Sequence, residues 1–165
     1  MLTNVGDEGG FAPSIKSNEE ALELIVNAIE KSKLKPGIDV VICLDVAANE
    51  LVNEKREYSI KSKSYSSVGD NINYYKKLVS DYPIKSIEDP FAEEDWDSWK
   101  KITEEIGKDV QIVGDDLFVT NSKRLKKGIN EKTANCILVK PNQIGTLTET
   151  LEVISMAKEA NFKTI

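Results

Sequence analysis

The 165-residue chain contains no histidine, and that absence removes every Ser-His or Cys-His nucleophile pair and every histidine-ligated metal site. Any acid or base must be Asp, Glu, Lys, Tyr or Cys. Two cysteines, Cys43 and Cys136, are too few for a disulfide framework or a cysteine-zinc site. Both sit in apolar runs, where a free thiol is expected to act as a small buried hydrophobe. The longest clean apolar run, Val40 to Leu44, falls far below the roughly 18 residues that a bilayer demands. The opening Met-Leu-Thr-Asn-Val-Gly-Asp-Glu lacks a basic start and an apolar h-region, so no secretory signal is expected and a cytoplasmic location is. Basic residues are also in the minority: Lys and Arg number 22 against 28 Asp and Glu, a net charge of −6. That balance argues against a broad nucleic-acid or membrane-surface footprint, because polyphosphates are held by clustered Lys and Arg. Neither Gly-rich stretch has P-loop or dinucleotide-fingerprint spacing.

What is present is an alternation of short apolar runs with amphipathic helices, the pattern of a parallel sheet with helical crossovers. Ser17 and Glu20 form a capping box for a first helix with Leu22, Ile25, Val26 and Ile29 on one face, closed by Pro36-Gly37. Val40 to Leu44 reads as a buried strand ending at Asp45. The polar stretch 49–67 holds an alternation around Tyr58 and Ile60 consistent with a short outlying strand. Helices are expected near 70–81, 95–107 and 121–130, with strands at Ile84 to Ile87, Val110 to Val113 and Cys136 to Val139. Thr146 and Glu149 cap a last helix bearing Leu147, Leu151, Ile154 and Ala157, and Phe162 to Ile165 opens a further strand. Trp96 and Trp99 are spaced for core packing. Lys123, Arg124, Lys126 and Lys127 form a basic cluster expected on a solvated helix face.

Four of the apolar runs end in a charged residue: Asp45, Glu88, Asp115 and Lys140. In a parallel sheet all strand C-termini lie on one rim, so these side chains are expected to converge. Three carboxylates without a cation would repel and their pKa values would rise. A dication keeps them ionised, and all-oxygen ligation favours Mg²⁺ or Mn²⁺. A carboxylate just after a strand is also a common helix N-cap or turn former, and a lysine serves as a base only where burial or cations lower its pKa. In Gly6-Asp7-Glu8-Gly9-Gly10-Phe11-Ala12-Pro13, glycine permits positive φ and close approach to a ligand, with Glu8 at the apex; a plain Gly-rich turn is the alternative.

Taken in order, GDEGGFAP (6–13), LDVAANE (44–50), SIEDPFAEEDWDSW (86–99), VGDDLFVTN (113–121) and KPNQIGTLTET (140–150) resemble the enolase family across nearly the whole chain. The resemblance implies a partial TIM-type (β/α)8 barrel of the enolase superfamily, with residues 1–165 as a single segment of the catalytic barrel domain. The N-terminal domain and last barrel strands are not included. It further implies Mg²⁺-dependent, reversible dehydration of 2-phosphoglycerate to phosphoenolpyruvate in glycolysis, and a homo-oligomeric full-length protein. Asp45, Glu88 and Asp115 match the family's Mg²⁺ ligands, Lys140 its general base and substrate contact, and Glu8 its general acid; a lysine base with Mg²⁺ is this superfamily's known arrangement.

Some of the family's parts are missing. A barrel of this kind needs about 250 residues, and the family's loop serine, its further acidic and histidine residues before GDEGG, its His-Arg-Ser segment and its final substrate lysine are absent. Pro141 stands where an ordinary apolar residue is expected. The chain alone is therefore expected to show little or no dehydratase activity, and an open half-barrel with bare edges is expected to self-associate. Two other classes fit some features: a receiver-like, Mg²⁺-binding phosphoacceptor domain, with Asp115-Asp116 as its acidic pair, and a non-catalytic binding fragment.

Overall fold

The computed structural model describes residues 3–61 and 66–165. The chain divides into two compact units, Met1–Val40 and Val41–Ile165. In the first, Val5 and Phe11 form an antiparallel bridge around a tight turn. The Gly6 amide donates to Gly10 O at 2.8 Å and the Gly9 amide to Gly6 O at 3.0 Å. Gly9, at φ +84°, supplies the left-handed backbone that the turn requires. Helix α1 (Asn18–Lys31) follows, with the Ser17 hydroxyl accepting from the Glu20 amide. The expected capping box is only half made, because the Glu20 carboxylate takes the Lys16 amide at 2.6 Å and not that of Ser17. Leu22 and Ile29 are buried, whereas Ile25, expected on the same face, is exposed.

The second unit repeats strand and helix: β1 (Ile42–Asp45), α2 (Val68–Asp81), β2 (Ile84–Glu88), α3 (Trp96–Ile106), β3 (Gln111–Gly114), α4 (Ser122–Glu131), β4 (Cys136–Ile137), α5 (Pro141–Ile144), α6 (Leu147–Glu159) and β5 (Lys163–Thr164). All five strands are parallel and lie in the order β1-β2-β3-β4-β5. Sequential order is that of a barrel sheet, whereas a doubly wound receiver reverses direction at a switch point. The register aligns Leu44 with Ile87 and Ile87 with Ile112 on one face. On the opposite face it aligns Cys43 with Ser86, Ser86 with Gln111, and Val113 with Cys136. Because side chains alternate along a strand, Asp45 and Glu88, themselves in register, continue this second, more polar face.

Several expectations are corrected in detail. Cys43 is exposed, unlike the buried Cys136, because β1 is an edge strand among the described residues. The strand starts at Ile42, two residues late; Val40 instead bridges Pro36. Tyr58 makes only isolated bridges to Val52 and Ser66, with a 3₁₀ turn at Ala48–Leu51; part of the expected outlying strand, residues 62–65, lies outside the described residues. β4 ends at Ile137, although the Leu138 amide still reaches Gly114 O at 3.1 Å and the Val139 amide Ile165 O at 2.8 Å. On α6, Leu147 and Leu151 are exposed, and Thr150, Val153 and Ala157 face inward. Pro141 starts the unexpected short helix α5 at its first turn, where its missing N–H costs nothing.

An aromatic cluster holds the loop after β2. Tyr58, Tyr75, Phe91 and Trp99 are buried, with Phe91 meeting the Tyr58 and Tyr75 rings edge-on at 5.2 and 6.0 Å. Their polar atoms are spent on that loop. Tyr58 Oη donates to Asp95 at 2.7 Å and accepts the Ala92 amide at 3.2 Å, Tyr75 Oη donates to Pro90 O, and Trp99 Nε1 donates to Phe91 O and Ala92 O.

Burial, then the hydrogen bond to Asp95, pushes the Tyr58 phenol above its ordinary value of 10.0, and burial raises Tyr75 likewise. The folded state thus keeps protons that the unfolded chain loses above about pH 10, so stability is full below that pH and falls above it. Urea midpoints followed by tryptophan fluorescence are expected to be level from pH 8 to 9 and to drop at pH 11, less steeply in Tyr58→Phe. Equal midpoints at pH 8 and pH 11 would contradict this.

Candidate active site

Strand geometry carries Asp45, Glu88 and Asp115 to neighbouring ends of β1, β2 and β3. Asp45 is exposed, and its Oδ1 accepts the amide of Ala47 at 3.0 Å. Glu88 is half-buried; burial first, then the charges of Asp45, Asp115 and Asp89, push its carboxyl up to about 7, with Lys140 opposing. Asp115 is 8% exposed. Lys140 Nζ donates to its Oδ2, which joins the end of β3 to the segment after β4. Among the described residues, Asp115 Oδ1 is buried with no hydrogen-bond partner.

Lys140 is placed by its backbone, whose amide donates to Thr120 Oγ1 at 2.8 Å. Thr120 is fully buried and, like Val119 before it, has positive φ, a strained state for a β-branched residue. The bond to Asp115 holds the Lys140 ammonium above its ordinary pKa, partly opposed by desolvation. In this arrangement the side chain is a cation and not yet a base. Glu8 lies in the Met1–Val40 unit, exposed at the tip of the Gly6–Gly10 turn.

Sequence reasoning missed Asp89 and Asn49, and took Asp116 only as part of the acidic pair in the receiver alternative. Asp89 is 4% exposed, and its two carboxylate oxygens accept the amides of Asp115 at 3.0 Å and Asp116 at 2.9 Å. Burial raises Asp89 to about 7 against the pull of those two amides. Oxygens of Asp89, Asp115 and Asp116 lie within 4.8 Å of one another, but Asp89 already serves the backbone. Asn49 Nδ2 donates to Asp116 Oδ2 at 2.9 Å, and Asn49 Oδ1 accepts the Glu93 amide at 3.0 Å. Asn49 thereby links the loops after β1, β2 and β3. The sequence signals were the acids adjoining Glu88 and Asp115, which follow the strand-end residues and are easily read as turn formers.

The basic cluster on α4 is more than a solvated face. Arg124 pairs with Glu94 at 2.8 Å and donates to Glu93 O and Leu117 O, while Lys127 Nζ lies 3.9 Å from the Trp96 ring centroid. Arg124 thus pins the loop after β2 from outside.

The donor set suits a hard divalent cation. Clustered carboxylates, one pushed up by burial and then by its neighbours' charge, and a buried carboxylate oxygen without a proton donor are what such an ion would relieve. Among the described residues, the acids whose oxygens all come within 4.8 Å of one another are Asp89, Asp115 and Asp116, with Asp45 and Glu88 at the neighbouring strand ends.

The chain matches, over residues 1–165, the family model described as "Enolase, C-terminal TIM barrel domain". It is 59% identical over 165 residues to a curated protein of Pelagibacter ubique (strain HTCC1062) named "Enolase", covering 100% of this chain and 39% of that relative.

Proposed function

The chain belongs to the enolase family, within its C-terminal TIM barrel domain, and from that premise we propose that the protein carrying it performs the Mg²⁺-dependent, reversible dehydration of 2-phosphoglycerate to phosphoenolpyruvate. The observation that supports this reading is the strand-end rim itself, where Lys140 contacts Asp115 while the other Asp115 oxygen is buried and unsatisfied.

Removing a proton next to a carboxylate builds a second negative charge on that group, so cationic stabilisation must be concentrated there. A divalent cation held by Asp45, Glu88 and Asp115 would supply that stabilisation and would neutralise the carboxylates that keep Lys140 protonated. Lys140, as a neutral amine, takes the proton. Glu8, protonated, serves as the acid that assists departure of hydroxide from the neighbouring carbon. We read residues 1–165 as one segment of the barrel domain, in a cytoplasmic, homo-oligomeric protein. No helix among the described residues is long and apolar enough to cross a membrane.

Because the chain spans 39% of the relative's length, the 165 residues alone are expected to turn over little or no substrate. In the full-length protein, formation of the enol product from 2-phosphoglycerate is expected to require Mg²⁺ and to vanish in Asp115→Ala. Turnover insensitive to metal removal and to Asp115→Ala would refute the reading. The receiver alternative loses support from the sequential strand order and from an acidic pair placed after the third strand.

A further inference from the structure

We propose that Asp89 is a positioning residue that sets the geometry of the metal-ligating rim by tying together the ends of β1, β2 and β3. The inference rests on the functional reading above, but the observations that carry it are separate from the proposed ligands.

All four hydrogen-bonding groups of Asp89 are used, and each bond leaves its own strand. Its amide donates to Val113 O of β3 at 3.0 Å and its carbonyl accepts the Ala48 amide, beyond β1, at 3.2 Å. Its two carboxylate oxygens accept the consecutive amides of Asp115 and Asp116 at 3.0 and 2.9 Å. The backbone takes φ +41°, an uncommon conformation for a residue other than glycine. That turn follows Glu88 directly, and the side chain is 4% exposed. Two neighbouring N–H groups aimed at one buried side chain need two acceptors. Only a carboxylate of this length offers both, since asparagine presents one acceptor and one donor.

The consequence falls on Asp115. Its amide is fixed by Asp89 at one end, and Lys140 fixes its Oδ2 at the other, so the remaining oxygen has little freedom. Supporting hydrogen bonds of this kind orient ligands, and their loss costs roughly 10- to 100-fold in metal affinity. Neither neighbour substitutes for it. Asp116 points one oxygen to Asn49, and Glu88 sits on the strand that Asp89 leaves.

The test uses the full-length protein, Mn²⁺ as the probe and electron paramagnetic resonance to count free ion, at a temperature where circular dichroism shows every variant folded. Wild type is expected to bind, Asp115→Ala to lose binding, and Asp89→Asn to bind about 10- to 100-fold more weakly. The Asp89→Asn variant is also expected to lose hydrogen-exchange protection at the amides of residues 115 and 116 while the centres of β2 and β3 keep theirs. A purely structural role would lower the unfolding temperature and leave the affinity of the folded protein unchanged. Wild-type affinity in folded Asp89→Asn would overturn the inference and leave the functional reading standing. Absence of Mn²⁺ binding by wild type would overturn both.

Discussion

Lys140→Ala in the full-length protein is expected to lower dehydratase turnover by about 10²- to 10⁴-fold, the range that a positioned general base contributes. The side chain is 41% exposed and packs into no core, so the fold should survive. Its removal leaves the Asp115 carboxylate without its cationic partner, which should strengthen the affinity for Mn²⁺ or leave it unchanged. Activity and metal binding therefore move apart, and that separation distinguishes a base from a residue that merely completes the structure. A second check is Lys140→Arg, which restores the charge beside Asp115 but stays protonated throughout the usable pH range, and so should remain as inactive as alanine. An arginine variant with near wild-type turnover would exclude proton abstraction by this residue.

The second large effect concerns stability. Trp99→Ala is expected to cost about 3–5 kcal/mol, as for other large-to-small core replacements. Trp99 is fully buried, and its Nε1 is shared between the carbonyls of Phe91 and Ala92. Removing it opens a cavity under α3 and leaves the buried Phe91 carbonyl without its indole donor, while Ala92 O keeps the Asp95 amide. Because Phe91 and Ala92 belong to the loop that follows Glu88 and Asp89, the damage should also reach the rim. Chemical denaturation followed by far-ultraviolet circular dichroism would measure it; a loss under about 1 kcal/mol would mean that the loop relaxes to fill the space.

Much of the architecture was legible because strand and helix periods differ and the apolar runs are short and cleanly bounded. Asp45, Asp115 and Lys140 stood out for the same reason, each being the first charge after an apolar run, and Glu88 closes the alternating segment Ile84 to Ile87; parallel strands bring such positions to one rim. What could not be read was anything dependent on a neighbour distant in sequence. Asp89 looks like a turn residue before Pro90, yet its partners lie 26 and 27 positions away. Cys43 sits in an apolar run like Cys136, and its exposure follows from the place of β1 at the sheet edge, which local pattern does not encode. Arg124 read as one basic residue among four; only the fold brings Glu93, Glu94 and Leu117 to its guanidinium.

Phe118 is fully buried and contacts the backs of two glycines. A methyl group at position 114 would lie 2.5 Å from its ring, and one at position 128 would lie 2.4 Å away. The ring also approaches Trp96 at 6.5 Å and Phe162 at 6.3 Å, while the Phe118 amide donates to Asp115 O at 3.1 Å. Positions 114, 118 and 128 therefore share one fixed volume and cannot drift independently: a larger residue at either glycine is tolerable only with a smaller one at 118. Evolution at this corner should proceed by paired exchange, and substitutions that look conservative one at a time should be disfavoured until their counterpart has changed.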